Sequence, residues 1–261
     1  MKKILLFSMI MFSLGVINAQ VLVEGFSYPS GNITNNGDWV AFSAEGTDPV
    51  QVVEGGLTFD GYGFTDSDGK SIRLRPKASP AEDVCIPLEL NRPISSGPVY
   101  LSFLLKVDKT APVQNDPKSA FISFGSSSTG KGRTRGRLAT VETSNDKYKF
   151  RIMWFNTVEE GHYVQYDDRE FDYGNTYLAV LKYNLDNHEA SAYFFDARPP
   201  QNEPANPDLS LSFSSVPGDQ HELPQIRSVQ IWQNGGRRVP QDKTIDGVVV
   251  STSWQDLFKK Y

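Results

Sequence analysis

One cysteine, Cys85, stands in the 261 residues, so no disulfide closes within the chain whatever compartment it occupies. Its run, Val84-Cys85-Ile86-Pro87-Leu88, is apolar and has no base beside it, which marks Cys85 as a buried hydrophobe and not a reactive thiol. Basic residues are outnumbered: 26 Lys and Arg against 31 Asp and Glu give a net charge of −5. That balance argues against a general nucleic-acid binder, which needs a basic excess. No apolar run after residue 17 is long enough for a transmembrane helix. Histidine is scarce, with only His162, His188 and His221. The phosphate-cradling glycine loop, zinc-ligand spacing and the nucleophile elbow are all missing. No segment has the apolar period of an amphipathic helix.

What is present begins with a leader. Lys2 and Lys3 precede an apolar run over 4–17, and Ala19 supplies the small residue at a cut. Residues 1–19 therefore read as a signal peptide and 20–261 as one mature domain, secreted to the extracellular space or periplasm. Cleavage removes two lysines and no acid, leaving a net charge of −7. No cysteine follows the cut, so a lipid anchor there is not expected. About 240 mature residues suffice for one large domain with its own core. Nothing in the composition sets an oligomeric state.

The mature sequence alternates short β-branched or aromatic runs with turn clusters such as Asn35-Asn36-Gly37, Asp48-Pro49 and Gly55-Gly56. Each run is too short for a helix and suits a strand. The clearest covers 99–107, where Val99, Leu101, Phe103, Leu105 and Val107 share one face and Tyr100, Ser102 and Lys106 the other. Further strands are expected over 71–75, 84–90, 120–124, 137–141, 148–155, 162–166, 177–183, 190–195, 226–232 and 244–250. Residues 125–136, almost entirely Ser, Gly, Thr, Lys and Arg, should form an exposed, mobile loop. Residues 199–207 should be a fixed, proline-rich extended loop, and 253–261 should close with one short helical turn. Roughly a dozen strands without a helix or tandem repeat predict an all-β fold, two antiparallel sheets packed face to face.

Three groups of segments resemble the concanavalin A-like, LamG-type jelly-roll domains of secreted bacterial proteins. The first is E-G-F-S-Y-P-S-G at 24–31 with G-D-W-V-A-F-S at 37–43 and P-V-Q-V-V-E-G-G-L-T-F-D-G-Y at 49–62. The second is T-Y-L-A-V-L-K-Y-N-L at 176–185 with E-A-S-A-Y-F-F-D-A-R-P-P at 189–200. The third is I-R-S-V-Q-I-W-Q-N-G at 226–235 with I-D-G-V-V-V-S-T-S-W-Q-D-L at 245–257. The resemblance covers about 22–258 and implies a β-sandwich whose first and last segments pair. It implies accessory or adhesion roles, and it places Trp39, Trp232 and Trp254 in the core. The same fold hosts lectins, hydrolases and lyases, so it transfers no activity by itself.

Glucanases of this fold carry a Glu-x-Asp-x-x-Glu run, and none occurs here. The nearest acidic cluster, Asp167-Asp168-Arg169-Glu170, reads as a solvated strand end. Lyases of the fold carry Gln-Ile-His where this chain has Gln230-Ile231-Trp232, although His162 with Tyr163 and Tyr166 would offer a base. Carbohydrate binding needs only flat rings and hydrogen-bonding neighbours. Residues 151–173 are dense in both: Trp154, Tyr163 and Tyr166 for stacking, Asp168 and Arg169 for hydroxyls. Core filling is the bland alternative for those aromatics. The one basic cluster, residues 131–137, offers Arg133, Arg135 and Arg137 as a clamp for an acidic or sulfated glycan, against the plainer reading of a solvated loop. Asp66-x-Asp68-Gly69 hints at calcium, the one cofactor considered, yet lacks the full ligand loop and reads equally as an Asx turn. The sequon Asn32-Ile33-Thr34 reads as a turn. The sequence thus predicts a non-catalytic module binding a glycan or cell-surface polymer. A structural or adhesive module with a protein partner and a polysaccharide-degrading enzyme stand as alternatives.

Overall fold

The computed structural model describes residues 19–64, 69–75, 80–88, 93–109, 120–130, 132–143, 146–154, 164–212, 224–233 and 241–259. Among them sixteen strands occur. The first eight are β1 (Gln20–Glu24), β2 (Gly31–Asn32), β3 (Val40–Ser43), β4 (Gln51–Glu54), β5 (Lys70–Leu74), β6 (Asp83–Pro87), β7 (Pro98–Asp108) and β8 (Ile122–Gly125). The rest are β9 (Thr134–Glu142), β10 (Tyr148–Met153), β11 (Val164–Tyr166), β12 (Thr176–Asn184), β13 (Glu189–Phe195), β14 (Leu209–Ser212), β15 (Ser228–Ile231) and β16 (Asp242–Ser251). The helical turn expected at the end is a 3-10 turn, Gln255–Leu257.

Two antiparallel sheets form the sandwich predicted from the run-and-turn pattern. One has nine strands in the order β14-β13-β12-β7-β16-β5-β4-β2, with β1 added on β16. The other has seven, β11-β10-β9-β8-β15-β6-β3. β16 serves two partners on one side because it is long and bulged. Lys243 to Ile245 pair with β5, and Val248 to Ser251 pair with β1. Between them the register against β7 shifts at Gly247, whose φ of 57° suits glycine.

The core between the sheets follows the period of two. Val99, Leu101, Phe103, Leu105 and Val107 of β7 all point into it, as their alternation predicts, and meet Ile122, Phe124, Leu138, Phe150 and Ile152 from the other sheet. Phe150 and Phe194 stack across the gap with centroids 3.9 Å apart and planes 5° from parallel. The other face of β7 is also buried. Tyr100 and Leu104 join a second apolar cluster outside the nine-stranded sheet.

The opening motif is a polar knot around one carboxylate. Glu24, 5% exposed, accepts from Phe26 N at 2.6 Å, the Tyr28 hydroxyl at 2.7 Å and Trp39 Nε1 at 3.0 Å. Phe26 stacks on Trp39 at 6.0 Å. Those contacts account for the Glu, Phe and Tyr of 24–28 and the Trp of 37–39. Three charge-assisted hydrogen bonds are what make a buried carboxylate tolerable.

Residues 125–136 depart in part from the exposed loop expected of them: Ser128, Thr129, Gly132 and Arg133 are exposed, and other described residues of the stretch are not. Thr134 already belongs to β9, and Thr134, Arg135 and Gly136 are buried. Residues 126–130 lie as a strap on the outer face of the seven-stranded sheet. The Ser228 hydroxyl donates to Ser127 O at 2.7 Å, Gln230 Nε2 to Gly130 O at 3.1 Å, and Cys85 Sγ lies 3.7 Å from Ser128 O. The residues that hold the strap come from β6 and β15, distant in sequence, so composition gave no warning.

Candidate functional site

The aromatic and basic residues singled out from the sequence do not converge. Trp154 closes β10 on its inner side, next but one to Ile152, and is 1% exposed. Its ring stacks on Tyr183 at 6.1 Å and presents no face to solvent. Tyr166 lies on the outer side of the seven-stranded sheet, half-buried, paired in register with Arg151. The Arg151 guanidinium sits 5.9 Å from its ring centre. Asp168 is exposed in the turn that follows β11. Arg169 is a clasp: it bonds Asp167 at 3.1 Å and Asp208 at 2.7 Å and lies 5.2 Å over Phe171. Tyr163 falls outside the described residues, as do Asp66 and Asp68. Among the described residues no group of three or more His, Cys, Asp or Glu is placed to hold a metal.

The basic run is split by a bulge. Opposite Ser123, β9 spends two residues, Gly136 and Arg137, and Gly136 has φ of 60°. Arg133 is exposed near the strap. Arg135, 4% exposed, donates to Thr134 O at 2.7 Å and lies 5.6 Å from the Trp154 ring centre. Arg137 lies 5.1 Å over Trp232 and donates to the Thr134 hydroxyl. Burial, and then the neighbouring Arg135, pushes the Arg137 guanidinium down to about 10. One side chain of the three thus stands in solvent. Arg135 and Arg137 are held on aromatic rings, and the expected clamp is not assembled.

The opposite outer face, on the nine-stranded sheet, builds an open pocket. Tyr100, Leu104, Leu178, Val180, Tyr193 and Val249 project outward from their strands and gather around Trp254 and Leu257. Trp254, 3% exposed, meets Tyr193 at 5.1 Å, Phe258 at 5.5 Å and Tyr100 at 6.0 Å, all edge to face. Its Nε1 donates to Pro200 O at 3.1 Å, tying the C-terminal turn to the proline loop 199–207. Gln20 Nε2 donates to Asp256 O at 2.5 Å and Lys259 O at 2.7 Å, so β1 fixes the same turn from the other side.

The middle of the proline loop is fastened by Glu203. It accepts from Tyr193 at 2.5 Å, Lys182 at 2.7 Å and Tyr100 at 2.7 Å. Burial alone would raise its pKa; the bonds from Lys182, Tyr193 and Tyr100 outweigh that and hold it below the usual carboxylate value. The loop is therefore stapled at Pro200 and at Glu203, and Pro199, Pro200 and Pro204 fix φ at and beside the two staples.

Between the loop and the C-terminal turn lies a pocket of about 410 Å³, lined among others by Arg198, Gln201, Asn202, Gln255, Phe258 and Lys259. Three side-chain amides supply both donors and acceptors, Phe258 supplies a ring, and no carboxylate is in the lining among the described residues. Gln255 Nε2 and Asn202 Oδ1 approach to 3.4 Å across the floor. The Arg198 stem runs against Gly61: a Cβ there would lie 2.9 Å from Arg198 Cγ, and Gly61 has φ of 76°. Sequence reading named none of these residues as site candidates. The adjacency of Arg198, Gln201 and Asn202 in a proline-rich loop was the one local signal.

No family model matches the sequence, and no curated protein does. Solved structures match in fold. A carbohydrate esterase, vb_24B_21, of the Shiga toxin-encoding bacteriophage phi24B superposes with a TM-score of 0.51 at 12% identity, over 90% of this chain and 98% of that one. The endo-β-1,4-glucuronan lyase of the fungus Trichoderma reesei gives 0.44 at 12% identity, over 84% and 96%. The botulinum neurotoxin serotype D binding domain gives 0.44 at 10% identity, over 90% of this chain and 48% of that one. The chain spans about half the length of the neurotoxin binding domains it matches. At such identities the likeness is one of all-β fold and goes no further.

Proposed function

We propose that this chain is a secreted, concanavalin A-like binding module that holds a glycan or cell-surface polymer in the proline-loop pocket. The observation that carries the reading is the pocket itself. It has about 410 Å³ of space, within the roughly 300–1,000 Å³ of small-molecule sites. Its amides suit sugar hydroxyls, and Phe258 offers an apolar ring surface beside them. The walls are fixed in advance by Trp254 and Glu203, which lowers the ordering cost of binding. Hydrolysis or elimination needs a carboxylate pair or a base at the sugar, and the described lining residues offer no carboxylate and no histidine. Secretion is part of the proposal and rests on the leader-like first nineteen residues.

The test is a binding screen against acidic, neutral and sulfated polysaccharides, with product release followed in parallel. Binding should fall on Gln201→Ala and on Asn202→Ala, both exposed changes that leave the core alone. Tyr166→Ala, on the opposite face, should leave it unchanged. Loss on Tyr166→Ala with no effect of the two loop variants would move the site to the seven-stranded sheet and overturn the pocket. Release of shortened or unsaturated products would replace the binding module with an enzyme.

A further inference from the structure

We infer that the proline-loop pocket selects an anionic sugar, one bearing a carboxylate or a sulfate ester, and that Arg198 reads the charge; the inference rests on the pocket being the binding site. The two cations in its lining, Arg198 and Lys259, are not equivalent. Lys259 is matched, its Nζ lying 3.0 Å from Asp256 Oδ1. Arg198 has no ion pair and no side-chain hydrogen bond among the described residues, and it is exposed at the pocket wall.

Arg133 and Arg227 are exposed too but lie outside this lining, and five other arginines are already committed. Arg73 and Arg169 are paired with carboxylates, and Arg135, Arg137 and Arg151 lie on aromatic rings. Arg198 instead has its stem laid against Gly61, a position with no room for a Cβ, so the direction of the side chain is set while its head stays unpaired. A guanidinium presents a planar fork of donors that matches the two oxygens of a carboxylate or sulfate. The amides of Gln201, Asn202 and Gln255 beside it suit the hydroxyls of the same ring. Among the described lining residues none is acidic, and the nearby Asp256 carboxylate is matched by Lys259.

The experiment compares matched pairs on the whole chain: oligogalacturonate against its methyl ester, and a sulfated galactan against its desulfated form, by calorimetric titration. At least one charged member should bind roughly tenfold or more tighter than its neutral partner, the range of a hydrogen bond to a charged group. The advantage should shrink as salt rises from about 0.05 to about 0.5 M. Arg198→Gln should abolish it without shifting the thermal midpoint, and Gly61→Ala, which displaces the arginine with no change of charge, should weaken it as well. The carboxylate and sulfate pairs then separate the two sources of charge. Equal binding of charged and neutral members overturns the inference and leaves the glycan reading standing. Selectivity that survives Arg198→Gln also overturns it, since the charge would then be read elsewhere. Binding of no member removes the pocket reading and the inference together.

Discussion

The two outer faces of the sandwich are covered by different mixtures of apolar and polar contacts. Outside the nine-stranded sheet the residues are Tyr100, Leu104, Leu178, Val180 and Tyr193, and the cover is apolar, built on Trp254 and Leu257. Outside the seven-stranded sheet, Cys85, Ser228 and Gln230 are tied to a strap through its backbone carbonyls, and a smaller apolar cluster gathers Ala139, Met153 and Val164 around Trp232. Apolar cover is non-directional and needs area; polar cover needs particular atoms in particular places. The cations divide the same way. Arg137 and Arg151 are pressed on Trp232 and Tyr166, whereas Arg198 stands at the mouth of a pocket. A cation already committed to a ring holds the fold together, and a cation with a fixed stem and an open head is available to a ligand.

The largest effect should come from removing the centre of the apolar cover. Trp254→Ala should destabilise the chain by about 3–5 kcal/mol in urea denaturation, the range for a buried large aromatic. Trp232→Ala, in the smaller apolar cluster of the other face, should lose less, by about 1 kcal/mol or more, because Phe42 and Arg137 are its ring partners against four aromatic neighbours for Trp254. Equal losses would break the contrast between the faces.

Lys243 sharpens it from the interior. Its ammonium is 2% exposed, 5.5 Å over Phe121, and burial pushes it down to about 7 from an ordinary 10.5. Between those values the unfolded chain keeps a proton that the folded chain has released. Stability should therefore climb with pH there, by up to about 1.4 kcal/mol per unit. Below about 7 both states are protonated and the burial penalty is present in full; above 10.5 neither carries the charge and it vanishes. Lys243→Met should raise stability most at and below neutral pH and flatten the climb, as read from urea midpoints between about pH 6 and about pH 10. An unchanged slope would mean that the amine titrates normally and that the interior tolerates a cation as readily as the pocket mouth does.

The smallest effect on folding belongs to Arg198. Arg198→Gln should change stability by no more than about 0.5 kcal/mol, since an exposed, unpaired side chain supports nothing else. A larger loss would make it structural and erase the distinction drawn between the cations.

How far the sequence could be read depended on whether a signal was local. The alternation from Val99 to Val107 was enough to orient β7, because one face of a strand repeats every second residue. That its other face is buried as well could not be read there: the cover comes from Leu57, Tyr62, Trp254 and Leu257, far away in the chain. Trp154 was misleading for a related reason. Aromatic density from 151 to 173 suits a sugar platform or a core equally. Only the parity with Ile152 and Phe150, which places Trp154 inward, separates the two. The strap at 126–130 has the composition of a solvated loop, and its anchors lie on β6 and β15. The pocket joins Gly61, the proline loop and the C-terminal turn, which no spacing rule connects.

The strap has one more consequence, in time rather than in space. Cys85 lies beneath it, and burial lifts the thiol to about 11, so at neutral pH the sulfur is both covered and protonated. Beside it Gln230 Oε1 is buried without a hydrogen-bond partner among the described residues. A thiol reagent can consume this sulfur only during intervals when the strap has lifted or the chain has opened more widely, and the thiolate has formed. Because the chain has a single cysteine, the progress curve of that reaction has one source. The native protein thus carries its own stopwatch for excursions that uncover one surface, readable without a dye or a substitution.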